Sequence, residues 1–141
     1  MSQQVRVGIV GAGYVSAYHI RAVQTLPYAT VVGIADLNRK QAEEMARRFN
    51  VPAVYSSLAE MRQANPQVVH ILTPPSSHKP LTIEALDMGC HVLVEKPMSL
   101  SVPEADRMIA AAERSGAKLM VGQLERFNPA MVALRPHVNH P

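Results

Sequence analysis

The chain has no tryptophan, only two phenylalanines and four tyrosines, and a single cysteine among its 141 residues. One cysteine, Cys90, cannot close an internal disulfide. A stapled secreted scaffold is therefore excluded, and a reducing cytoplasm is the expected setting. No stretch approaches the ~20 consecutive apolar residues that cross a bilayer. The opening MSQQVRVGIVGAG has neither a long apolar run nor a cleavage signature, so no leader peptide is expected. Nothing repeats internally, and nothing calls for a metal ion. Charge of one sign is also scarce: the net +3 comes from basic residues set singly or in pairs, with acids among them. Without a basic run, or aromatics to interleave with one, a pI of about 9.3 is no argument for nucleic-acid binding. What is present is 48% hydrophobic and 18% charged residues, the balance of a packed globular domain.

The pattern alternates strands and helices. Val5 to Val10 reads as a short buried strand closed by glycine. A helix follows over Ala17 to Leu26, ended by Pro27. Val31 to Ala35 is a second strand. Asn38 then looks like an N-cap, with Gln41 completing a capping box, ahead of an apolar stripe at Ala42, Met45, Ala46 and Phe49. Val54-Tyr55 is a short strand and Leu58 to Ala64 a short helix. Val68 to Thr73 is a strand stopped by Pro74-Pro75. Lys79 to Met88 is a helix with Pro80 in its first turn and Gly89 past its end. His91 to Val94 is a strand. Ser101 and Glu104 suggest a second capping box, opening a helix to about Ser115 that buries Ala105, Met108, Ile109 and Ala112. Lys118 to Val121 is the last strand, and Pro129 to Leu134 begins a further helix.

Such alternation predicts a doubly wound α/β domain, a parallel sheet of about six strands covered on both faces. The order 3-2-1-4-5-6 is expected, with a ligand at the carboxyl edge where the order reverses. Residues 1–124 are read as this Rossmann domain, and residues 125–141 as the start of a connection onward. His137 and His140, at the end of that stretch, are assigned no role.

Four motifs carry chemistry. In VGIVGAGYVSAYH, Gly11 permits a tight turn and Gly13 lets the backbone approach a pyrophosphate. The N–H groups beyond Ala12, near Tyr14 and Val15, would point at the phosphates. Ser16 stands where a third glycine often serves helix–strand packing. A plain strand-to-helix turn is the alternative. Asp36 ends the second strand, where a carboxylate can accept from the adenosine ribose hydroxyls and repel a 2′-phosphate; it can equally be a turn residue. Asn38 and Arg39 follow, and Arg39 reads either as a solvated helix residue or as a partner for the 2′-phosphate of NADP. Thr73-Pro74-Pro75-Ser76-Ser77-His78 lies across the switch point, near a nicotinamide half. His78 either bonds there or simply begins the helix. Glu95-Lys96-Pro97 sets an acid beside a base at a strand's carboxyl end. A desolvated lysine there suits proton transfer, while an ordinary polar turn is the alternative. The Lys96–Pro97 bond is open to either isomer.

The set GAGYVSAYH, Asp36, TPPSSH, HVLVEKPMSLS and GQLERFNPA, in this order, resembles the N-terminal domain of the Gfo/Idh/MocA oxidoreductases over essentially the whole chain. The EKP element is its most specific part. The resemblance implies an NAD cofactor, with NADP possible, and hydride transfer between nicotinamide and an alcohol or carbonyl of a polyol, sugar, inositol or nucleotide sugar. It implies that Lys96 polarises the reacting hydroxyl, that Glu95 orients the ribose–nicotinamide portion, and that Ser76 and His78 lie near that portion. Ser76 departs from the asparagine many members carry. The resemblance further implies a C-terminal α/β domain, outside these residues, supplying a substrate-facing histidine. Two expectations follow: self-association through an exposed carboxyl edge, and, as the alternative function, a non-catalytic NAD(P)-binding module that acts with a partner chain.

Overall fold

Runs of branched apolar residues form the strands β1 (Val5–Val10), β2 (Ala29–Ala35), β3 (Val54–Tyr55), β4 (Val68–Ile71), β5 (His91–Val94) and β6 (Leu119–Val121). Between and after them lie α1 (Ser16–Gln24), α2 (Arg39–Phe49), α3 (Leu58–Met61), α4 (His78–Asp87), α5 (Val102–Ser115) and α6 (Pro129–Val138). This computed structural model describes residues 4–138, so His140 and the last three residues of the expected 125–141 stretch lie outside the described residues.

All strand pairs are parallel, in the order β3-β2-β1-β4-β5-β6, as the alternation predicts. Successive residues of a strand face opposite sides. Ile9 therefore enters the layer under α1 and α2, with Ile20, Ile34 and Phe49. Val10 enters the layer under α3, α4 and α5, with Leu58, Ile71, Leu86 and Met108. Each fully buried side chain of this size contributes about 1.5–3 kcal/mol. The two layers fix the strand ends, and with them the geometry of the carboxyl edge.

Local chemistry departs from the expected patterns at three places. The Asn38 side chain accepts from the Gln41 N–H at 3.3 Å, but the Gln41 side chain does not reach back to close a box. It donates instead to the Ala12 carbonyl at 2.9 Å. At α5 the Ser101 hydroxyl makes no cap. Glu104 reaches one residue further back, accepting from the Leu100 N–H at 3.2 Å and from the Lys79 ammonium at 3.0 Å. The buried line of α5 runs through Met108 and Ala111, and Ile109 is 46% exposed. The helix leans on α4 rather than over the short edge strand β6, so the side expected to be buried is left open.

Ser57 caps α3 by accepting from the Glu60 N–H at 3.1 Å. Glu60 in turn accepts from the Ser56 N–H at 2.7 Å, and that hydroxyl and N–H hold its carboxyl below the usual range. Ser57→Ala is expected to cost about 1 kcal/mol in a urea titration, the usual loss for a deleted cap.

Candidate cofactor site

Gly11 turns the chain out of β1 at φ +100°, where a Cβ would also sit 2.9 Å from the Leu72 carbonyl. Gly13 is open for a different reason. A Cβ there meets no atom within 4 Å, and its free side is the cleft it lines. Ser16 does more than fit where a glycine would. It is fully buried at the start of α1, and its hydroxyl donates to the Gly11 carbonyl at 2.5 Å. Among the described residues the N–H groups of Tyr14 and Val15 have no acceptor. They stand at the N-terminal end of α1, where unpaired donors and the helix dipole favour an anion.

Asp36 holds this turn from the next strand. One carboxylate oxygen accepts from the Ala12 N–H at 2.6 Å and the other from the Asn38 N–H at 2.7 Å. Ala12 is thus gripped at its N–H by Asp36 and at its carbonyl by Gln41. A carboxylate offers about four acceptor positions, so two remain for ribose hydroxyls. Asn38 is occupied as a cap. Arg39 lies along α2 with its Nε 2.9 Å from Glu43, and both side chains are more than half exposed.

Gly11, Gly13, Asp36, Thr73 and Pro74 line one cleft of about 560 Å³ at the carboxyl ends of β1 to β4. It opens where the strand order reverses. Its walls also carry Ser77, from the switch-point motif, and Gln41, Ser56, Ser57, Leu81 and Glu84, which were not foreseen as lining residues. Ser56 and Ser57 follow β3, and the rule that ligands sit beyond the carboxyl ends of parallel strands points to them. Leu81 and Glu84 lie on α4, on a face that its sequence pattern does not single out.

The switch loop separates its two serines and fixes its histidine. Ser76 is exposed on the short turn Pro75–Ser77 and does not line the cleft; Ser77 does. His78 begins α4, as one reading had it. It is buried, with Nε2 2.7 Å from the Thr73 carbonyl and Nδ1 2.8 Å from the Pro97 carbonyl. It cross-links the switch loop to the turn after β5.

That turn has a cis Lys96–Pro97 bond. Lys96 is exposed, as no described residue covers it. Glu95 is largely buried. It accepts from the Lys96 N–H at 3.1 Å and lies 3.1 Å from His19 Nε2. His19 Nδ1 is in turn 3.2 Å from His70 Nδ1. Burial, with His19 beside it, pushes the His70 imidazole down to about 4.

Residues 5–123 match GFO_IDH_MocA, described as an oxidoreductase family with an NAD-binding Rossmann fold. The chain belongs to the Gfo/Idh/MocA family. Among its relatives is the trans-1,2-dihydrobenzene-1,2-diol dehydrogenase of Mus musculus, 38% identical over 93% of this chain and 40% of that protein. The UDP-N-acetylglucosamine 3-dehydrogenase of Acidithiobacillus ferrooxidans is 31% identical over 93% of this chain and 41% of that protein. The crystal structure of the WlbA dehydrogenase from Bordetella pertussis, in complex with NADH and UDP-GlcNAcA, superposes with a TM-score of 0.92 at 28% identity. The superposition covers 99% of this chain and 40% of that one. The chain therefore spans about 40% of the length of these relatives. Among the described residues no helix is long and apolar enough to cross a membrane.

Proposed function

We propose that this chain is the cofactor-binding part of an NAD-dependent oxidoreductase acting on an alcohol–carbonyl pair of a sugar or nucleotide sugar. One observation carries the reading: the open Gly13 turn, the Asp36 carboxylate and the Thr73–Pro74 loop meet in a single cleft, and Glu95-Lys96 ends the strand beside it. The residues fit a dinucleotide. The N–H groups of Tyr14 and Val15 would hold the pyrophosphate, Asp36 the adenosine ribose, and Thr73 and Pro74 the far wall. Arg39, paired with Glu43, would be left out, which favours NAD over NADP. When bound, the nicotinamide supplies the hydride acceptor or donor. Glu95 would orient its ribose end, and the exposed Lys96 ammonium would donate to the substrate oxygen and manage its proton. The name of the UDP-N-acetylglucosamine 3-dehydrogenase, and the complex of WlbA with NADH and UDP-GlcNAcA, support the substrate class, while the dihydrobenzenediol dehydrogenase shares only the alcohol–carbonyl chemistry.

We set the domain boundary near residue 124, since every described residue from Gln123 to Val138 is exposed. We place self-association at the exposed carboxyl edge and the last helix beside it in the chain, where Phe127, Val132 and Leu134 are exposed. We place the protein in the cytoplasm on its one unpaired cysteine, Cys90, a buried thiol that burial pushes up.

The test is calorimetric titration with NADH and NADPH in parallel, since without tryptophan there is no indole fluorescence to quench. NADH is expected to bind more tightly, and Asp36→Asn to narrow the difference. Tighter NADPH binding would transfer selection to Arg39. In an enzyme that joins this chain to a substrate domain, Lys96→Ala is expected to leave nucleotide affinity within about twofold and to cut turnover by ~10²–10⁴, the usual contribution of a positioned acid–base group. Equal loss of both would remove Lys96 from the chemistry.

A further inference from the structure

Glu95, His19 and His70 form a line across three elements that nothing in the fold requires. The partners fix one end of the line. A carboxylate only accepts, so His19 Nε2 donates to Glu95 across 3.1 Å. With both rings neutral, each carries one N–H, and the arrangement that satisfies the line has His19 Nδ1 accepting from His70 Nδ1 across 3.2 Å. Burial keeps His70 neutral, which is the form this line needs. The carboxylate is confined on its other sides too. Its second oxygen accepts from the Lys96 N–H at 3.1 Å. Gly122, just past β6, approaches so closely that a Cβ there would lie 3.0 Å from Glu95 Oε1. α1, β4, β5 and the end of β6 thus converge on one carboxylate, set directly before Lys96.

We propose that His19 and His70 are positioning residues that lock the Glu95 carboxylate in the orientation it uses toward the nicotinamide end of the cofactor. The proposal rests on the cofactor reading above. A free glutamate side chain would lose rotamer freedom on binding; the histidine line removes that freedom beforehand, which is preorganisation at the first contact shell. His19 acts through Glu95 and need not touch the cofactor.

A double-mutant cycle on the 141-residue chain tests this, with NADH affinity read by calorimetry at neutral pH. His19→Leu is expected to weaken binding about tenfold, the scale of one hydrogen bond to a charged group. His19→Gln, whose amide can still donate to Glu95, is expected to recover most of that loss. In a Glu95→Ala background, which leaves His19 no acceptor, His19→Leu should cost no more than about twofold further, because residues acting as one unit are not additive. Imidazole nitrogen NMR of the ligand-free chain should show His19 protonated at Nε2 and His70 at Nδ1. Additive losses, unchanged affinity in His19→Leu, or the opposite tautomer at either ring would overturn the positioning role while leaving the cofactor reading standing. Failure of the unmodified chain to bind either NADH or NADPH would instead overturn the cofactor reading, and the positioning role with it.

Discussion

A chain carrying Gly13→Val is expected to unfold in urea as the unmodified chain does and to bind NADH at least a hundredfold more weakly. The stability half of this follows from geometry. Gly13 is not among the glycines with positive φ, and a Cβ there meets no atom within 4 Å. Valine therefore costs the fold little. The binding half follows from where Gly13 lies. Gly13 lines the cleft and directly precedes Tyr14 and Val15, whose N–H groups have no acceptor among the described residues, so side-chain bulk there is expected to hold a pyrophosphate away from them. Losing two hydrogen bonds to a charged pyrophosphate removes roughly 3–6 kcal/mol, and about 2.7 kcal/mol is already a hundredfold. Gly11→Ala is expected to behave in the opposite way. Its φ of +100° and the 2.9 Å approach of a Cβ to the Leu72 carbonyl put the strain into the fold itself. A loss of about 2–3 kcal/mol in urea is expected, as for other side chains forced into left-handed backbone against a packed neighbour. If the two variants lost stability equally, or if Gly13→Val still bound NADH, the turn would be scaffold and not cradle.

These two glycines also mark how much of the site could be read from the sequence. Their turn, Asp36 and the Thr73–Pro74 loop are each local signals, and the right-handed crossover rule brings them together at one edge. Strand order followed for the same reason: alternating elements with short connections leave few topologies open. What escaped is what depends on contacts between distant elements. Gln41 satisfies a helix-cap pattern locally, yet the Ala12 carbonyl is within reach and wins its side chain. The sequence around His78 leaves both a cofactor contact and a helix start open; only the assembled turn at Pro97 puts a second carbonyl against its ring. Ile109 sits on an apolar stripe, but periodicity does not say which neighbour covers that side of α5. His19, His70 and Glu95 lie on three elements far apart in sequence. Nothing short of the folded sheet places their rings in line.

The same line of side chains makes stability fall in weak acid. His70 has its imidazole lowered from 6.5 to about 4, chiefly by burial and secondarily by His19. In the unfolded chain it binds a proton near pH 6.5, while in the fold it stays neutral down to about pH 4. Between those values the unfolded state holds the extra proton, so stability decreases as pH falls. Above the upper value the contribution is fully present, and below the lower one the loss levels off. The whole loss is about 3 kcal/mol, from a shift worth roughly 1.4 kcal/mol per pH unit. That is a large fraction of the 5–15 kcal/mol that holds a typical domain together. Urea unfolding at a series of pH values should therefore show a slope near one proton in this window that is absent from His70→Leu. The leucine variant isolates the effect, because the two chains share every other titrating group. The carboxylates that lose hydrogen bonds on protonation, Glu60 and Glu104 among them, are common to both chains. Identical slopes would mean that His70 takes up its proton within the fold. The neutral tautomer that donates to His19 would then not survive into weak acid, and the Glu95 line would come apart at a pH where the sheet still stands.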